Sequence, residues 1–80
     1  YIQINVPSIA DGTSWCLAIR DRYGSGQTYY LPTNTGTGTY HYDIRSYTGW
    51  TGLRKFEIQV HVLTPSKWIK IDWLRITSQP

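Results

Sequence analysis

The chain has one cysteine, Cys16, one phenylalanine and no methionine among its 80 residues. A lone thiol excludes an intramolecular disulfide and any zinc site built on several thiolates, and it leaves the redox compartment open. The missing methionine implies that the chain was cut from something longer. Charge is also sparse, at 16% of residues, with 8 basic against 5 acidic side chains and a formal charge of +3. The cations Arg20, Arg22, Arg45, Arg54, Lys55, Lys67, Lys70 and Arg75 are dispersed and form no run. No apolar stretch approaches the roughly 18 to 20 residues a membrane span requires, and no charged-then-apolar leader precedes Tyr1, so no membrane partner is expected.

What is present is a 40% hydrophobic fraction, which fits one globular domain over residues 1–80. A fold of this size removes roughly 60 to 65% of its extended-chain surface from water, leaving a thin core and little room for an enclosed active site. A surface groove is therefore the expected working part. The aromatics are weighted toward rings with a polar handle, Trp 4 and Tyr 7 against Phe 1. Such rings suit surfaces where one edge stays wet or a flat face meets a ligand, which points toward binding.

Hydrophobic residues alternate in steps of two, interrupted every eight to twelve residues by Gly, Pro, Asn, Asp, Ser and Thr. The pattern predicts six strands, Tyr1 to Val6, Trp15 to Arg22, Gln27 to Leu31, Thr39 to Arg45, Lys55 to Leu63 and Lys67 to Thr77, with no helix of any length. An all-β antiparallel sandwich or a small barrel follows. Ile2, Ile4 and Val6, then Leu17 and Ile19, then Tyr40, Tyr42 and Ile44, and then Phe56, Ile58, Val60 and Val62 are the expected core faces. In the last strand Ile69, Ile71 and Trp73 compete for the core with Trp68, Leu74 and Ile76, and a bulge or twist would satisfy both halves.

Catalysis has little to work with. The acids are Asp11, Asp21, Asp43, Glu57 and Asp72, and no nucleophile elbow or phosphate-cradling loop is present. Glycoside hydrolysis by Asp43 and Glu57 would need them paired across a cleft, an arrangement that any solvated sheet face imitates. The chain is read as a non-enzyme. His41 and His61, at polar strand positions, lack the spacing of a metal site and serve better, with Gln59 and Asp43, as hydrogen-bonding groups for a polyhydroxylated ligand. Trp50 lies in the Gly-flanked loop Thr48-Gly49-Trp50-Thr51-Gly52, where it is either a binding ring or a lid folded onto the core; the first is preferred. Trp15 and Trp68 follow turns and are candidates for a rim. Sugar rings stack on such planes, and so do nucleobases, but phosphate binding needs clustered cations, so no nucleic-acid partner is expected.

The segments Phe56 to Val62 and Trp68 to Ile76, ending in Ile71-Asp72-Trp73-Leu74-Arg75, resemble the last two strands of jelly-roll carbohydrate-binding modules of the galactose-binding-like type. Trp15 to Tyr30 and Tyr40 to Trp50 are similar to the strand, aromatic turn and Trp-Gly segment that precede them. The resemblance implies a jelly-roll sandwich, shorter than usual, secreted as part of a larger polysaccharide-degrading enzyme. It also implies a possible structural calcium with Asp72 as a ligand, against the simpler reading of a salt bridge to Arg75 or Lys70. The combined expectation is a non-catalytic module that holds a glycoside hydrolase on plant cell-wall polysaccharide of the β-glucan, xyloglucan or cellulose type. Trp50, Trp15, Tyr29 and Trp68 would stack on the sugar, and Gln59, His61, His41, Asp43 and Arg20 would orient it, with no cofactor required. The alternatives are an OB-like single-stranded nucleic-acid binder and a structural β module of a phage fibre or adhesin.

Overall fold

A computed structural model describes residues 1–79 of the chain. The expected strands at Ile2–Val6 and Trp15–Asp21 become the central ones. β1, Ile2–Val6, lies between β5, Gly38–Tyr42, and β8, Trp73–Ile76, in one antiparallel sheet. β3, Trp15–Asp21, lies between β4, Thr28–Tyr30, and β6, Phe56–Val62, in a second antiparallel sheet. Two short strands, β2 at Ser8–Ile9 and β7 at Ile69–Lys70, pair with each other as a third. The architecture is all-β and sandwich-like.

The two sheets share one core. Ile2, Ile4 and Val6 on β1 and Trp15, Leu17 and Ile19 on β3 have no exposed surface, and Leu31, Tyr42 and Trp50 close the cluster. Their β-branched and aromatic side chains suit a pleated surface. Slipping either strand by one residue would turn the whole set toward water, so burial fixes the register. Trp15 joins three parts of the fold. Its ring meets Tyr40 of β5 edge to face at 5.1 Å, its backbone pairs with Asn34, and its indole N–H donates to the Gly36 carbonyl at 3.3 Å. The Thr- and Gly-rich loop 32–38 is thereby held against the core, and Asn34 Nδ2 donates to the Tyr42 hydroxyl at 2.7 Å.

The turn after β3 is organised by the buried Asp21. Its carboxylate accepts the Tyr23 N–H at 2.8 Å and the Ser25 hydroxyl at 3.3 Å. Carboxylates that bond nearby backbone in this way bend the chain without leaving a buried polar group unpaired. Gly24 completes the bend at φ 120°, a conformation that disfavours a side chain.

Three segments differ from the expected six strands, the first being Ser8–Ile9, which forms the unexpected β2 by pairing with β7. Tyr40 and Tyr42 lie on β5 as expected, but the strand ends there and Ile44–Thr48 forms a short helix, α1. Asp43 stops the strand by accepting the Arg45 N–H at 3.1 Å, and Gly49, at φ 71°, ends the helix with its N–H on the Arg45 carbonyl. An Asp and a Gly in these positions are ordinary helix caps. The last expected strand, 67–77, is broken into β7 and β8 around Ile71 and Asp72, where the Asp72 N–H donates to the Asn5 carbonyl at 3.0 Å. The break changes parity, so odd-numbered Ile69 and even-numbered Leu74 both pack on the core while Trp73 turns outward.

Burial raises the pKa of two groups and so suppresses their ionisation. The Cys16 thiol is pushed above its ordinary 9.0 by desolvation, and the Tyr42 phenol above 10.0 by desolvation first, partly offset by the bond from Asn34. A folded-state pKa above the unfolded value means that the unfolded chain loses its proton first, so stability is fully present below about pH 9 and falls as pH rises through the folded-state values. Urea midpoints measured from pH 7 to 11 are expected to drop above pH 9, and the Cys16→Ala variant to drop less. Trp15→Ala should lose about 3 to 5 kcal/mol in the same measurement at pH 7, the range for emptying a buried aromatic site.

Candidate functional site

The residues expected to bind a ligand are distributed over separate parts of the molecule. Trp15 is wholly buried, so its expected stacking role is replaced by a core role. Trp50 is only 7% exposed. The helix end at Gly49 and the bond from the Trp50 N–H to the Thr48 hydroxyl, 3.2 Å, turn the loop inward. The ring then meets Tyr29 edge to face at 5.5 Å and Phe56 at 5.8 Å, with the Arg54 guanidinium over it at 5.4 Å. Trp50 is the lid on the core, and Tyr29 faces inward to support it. Asp43 caps α1. Trp68 is exposed beside the β2–β7 pair, where its carbonyl accepts the Ala10 N–H. His41 stands on the outer face of the first sheet, opposite Gln3.

Gln59, His61 and Arg20 share the outer face of the second sheet. The register sets His61 beside Cys16, places Ala18 between Tyr30 and Gln59, and places Arg20 between Thr28 and Glu57. The central strand thus presents two small side chains, and both are covered, Ala18 completely and Cys16 nearly so. Tyr30 and His61 reach toward each other across β3, with ring centroids 5.5 Å apart at 68°. The Gln59 Oε1 and His61 Nε2 atoms lie 2.8 Å apart, which holds the imidazole in place. Glu57 pairs with Arg22 at 3.3 Å, an exposed contact worth little in energy but sufficient to balance local charge.

Tyr30 is 63% exposed, and no cation stacks on it among the described residues. That separates it from Trp50 and Trp73, while Trp68, also exposed, stands beside the β2–β7 pair instead. Trp50 is covered by Arg54. Trp73, on the outer face of the first sheet, is covered by the Arg75 guanidinium at 4.5 Å, whose Nε also donates to the buried Gln3 at 2.9 Å. Stacking a ligand on either Trp would first displace its cation, whereas Tyr30 offers a plane ready for contact. Sequence reasoning chose Tyr29 over Tyr30 as the ligand-facing ring. Only the pairing of Ala18 with Tyr30 decides which of the two adjacent tyrosines faces out, and that pairing is a tertiary fact.

A concavity of about 470 Å³ lies at the end of the sandwich. Tyr1, Asp43, Arg45, Trp50, Arg54 and Phe56 contribute to its walls. Its carboxylate is spent on capping α1, and its aromatic ring lies under Arg54. Asp43 and Glu57, the pair considered for hydrolysis, belong to the borders of different sheets, and Glu57 is engaged by Arg22. Asp72 is exposed, and no group of three or more His, Cys, Asp or Glu side chains gathers among the described residues. The raised Cys16 thiol, beneath the second sheet's outer face, is kept in its unreactive protonated form.

Comparison of the chain with protein-family models, with curated proteins and with solved structures finds no match in any of the three.

The positions of the rings set the expected mutational pattern. Tyr30→Ala should shift the free energy of unfolding by less than about 1 kcal/mol, because the side chain covers only a small part of β3. Trp50→Ala should cost about 3 kcal/mol or more. Chemical denaturation of the two variants checks this, and equal losses would place Tyr30 in the core.

Proposed function

We propose that the chain is a non-catalytic carbohydrate-binding module that holds an appended glycoside hydrolase on plant cell-wall polysaccharide, a β-linked glucan-type chain. The observation that carries the reading is the outer face of the β4–β3–β6 sheet, where one unobstructed aromatic plane, Tyr30, stands beside Gln59, His61 and Arg20. A pyranose ring presents a C–H face for stacking, and its equatorial hydroxyls both donate and accept. An amide, an imidazole and a guanidinium at the margin answer them with directional bonds.

The shape supports an extended ligand. The face is the outside of a three-stranded sheet with Tyr30 63% exposed on it, unlike the enclosed clefts that surround small molecules, so it suits a chain lying across the strands with one or two sugars in contact. Binding of this kind is weak, with a dissociation constant on the order of 0.1 to 1 mM, and it gains strength by repetition along a polymer. Local charge favours a neutral ligand over a polyanion, because Glu57, opposite Arg20 and paired with Arg22, leaves a single unbalanced cation where several phosphates would need a cluster.

Affinity gel electrophoresis against mixed-linkage glucan, xyloglucan, xylan, mannan and starch tests the reading. Retardation by a β-glucan class, lost in Tyr30→Ala and in Gln59→Ala but kept in His41→Ala, is expected. Raising salt from about 50 to about 200 mM should change the retardation less than twofold, whereas a site that neutralises several phosphates would lose its affinity steeply. No retardation by any polysaccharide, together with salt-sensitive binding of single-stranded DNA, would replace this function with the nucleic-acid one.

A further inference from the structure

We propose that β6 is a self-association edge, at which a second copy of the chain adds its own β6 antiparallel to form a continuous six-stranded sheet. The inference stands on the fold alone and does not depend on the sugar-binding reading. β6 is the longest edge strand in the molecule, seven residues against three in β4, five in β5 and four in β8. Its pairing with β3 runs without a bulge from Trp15↔Val62 to Asp21↔Phe56. It contains no proline and a single formal charge, Glu57. Edge strands of soluble proteins are normally kept short, kinked or charged to prevent pairing, and β6 has none of these protections beyond that one carboxylate.

The hydrogen-bond parity fixes which groups are free. At the two ends of the ladder the Arg22 N–H donates to the Lys55 carbonyl at 3.0 Å and the Leu63 N–H donates to the Ser14 carbonyl at 2.7 Å. Odd-numbered residues of this strand therefore turn their backbone groups toward β3. The N–H and C=O groups of Phe56, Ile58, Val60 and Val62 point outward, and no partner takes them among the described residues. Val60 and Val62, on the inner face of the same strand, are left 38% and 39% exposed.

A two-fold axis at Gln59 satisfies all of this at once. Phe56 then pairs with Val62 of the second copy and Ile58 with its Val60, so the free groups of both strands meet and the half-covered valines gain apolar neighbours. Glu57 falls opposite His61 of the second copy at a non-hydrogen-bonded position, where side chains approach most closely. An acid thus faces an imidazole twice over, and no like charges are opposed. Moving the register by one residue sets free groups against occupied ones. Moving it by two sets Glu57 against Gln59 or Leu63 and shortens the ladder. The occupant indicated by this complementarity is the chain itself.

Sedimentation equilibrium of the 80-residue chain from about 1 μM to about 1 mM tests the proposal. The expected result is a monomer–dimer equilibrium ending at twice the 9.3 kDa chain mass, with amide exchange at Phe56, Ile58, Val60 and Val62 slowing as the dimer fills. Val60→Pro removes only an outward N–H and should leave a folded monomer, weakening association at least about 100-fold. Glu57→Lys should weaken it about tenfold, since the axis counts each pair twice, and the double variant Glu57→Lys/His61→Glu should restore it. The double variant decides the matter if Val60→Pro does not fold. A monomer at every concentration, or a dimer indifferent to Glu57→Lys and to its reversal, overturns the proposal.

Discussion

The structure depends on one contact, the packing of β1 against β3. Ile2, Ile4 and Val6 meet Trp15, Leu17 and Ile19 across the middle of the sandwich, and all six are fully removed from water. Burying each such side chain stabilises the fold by roughly 1.5 to 3 kcal/mol. Among the described residues no second core shares the task. Each remaining element is therefore positioned relative to these two strands. The strands β5 and β8 flank β1, β4 and β6 flank β3, and the loop 32–38 is tied down through Trp15.

That constraint also shapes the outer face. Because β3 is the middle strand of a narrow sheet, its outward residues sit under the side chains of both neighbours. Cys16 and Ala18 are small enough to let Tyr30 and His61 lean across them, and a larger residue at Ala18 would force the two apart. The second sheet consequently has a shallow floor with an aromatic ring on one side and polar groups on the other. The first sheet has the opposite arrangement. There Gln3 is buried beneath Arg75, and Arg75 lies on Trp73, so the outer face is internally satisfied. The same kinds of residue leave Tyr30 without a covering cation on one face and place Arg75 over Trp73 on the other.

The strands were legible in the sequence wherever period-two alternation was strict. Ile2, Ile4 and Val6, and likewise Phe56 and Ile58, read correctly because a half-buried strand leaves an unambiguous pattern, whereas Val60 and Val62, expected in the core, stay 38% and 39% exposed at the edge of the sheet. The helix α1 was missed because five residues are too few to show a helical period, although its caps, Asp43 and Gly49, were present. The end of the chain was ambiguous for a physical reason, since β7 and β8 obey opposite parities on either side of a break. The site was legible only in part. Gln59 and His61 share a face, as their alternation required, and the register of β3 with β6 brings Arg20 to it, but the large rings at Trp15 and Trp50 were drawn inward by a core short of apolar volume. A tryptophan in a glycine-flanked loop looks exposed in one dimension, and only its three-dimensional neighbours, Tyr29, Phe56 and Arg54, show that it is not.

The central claim is that the outer face of the β4–β3–β6 sheet is the working surface. Titrating a β-glucan oligosaccharide into the ¹⁵N-labelled chain and following amide resonances tests it most directly. The account predicts the largest, saturable changes at Ala18, Tyr30, Gln59 and His61, with the first sheet's His41 and Gln3 unmoved. Changes centred on Asp43, Trp50 and Arg54 at the end of the sandwich, or none at saturating sugar, would contradict it.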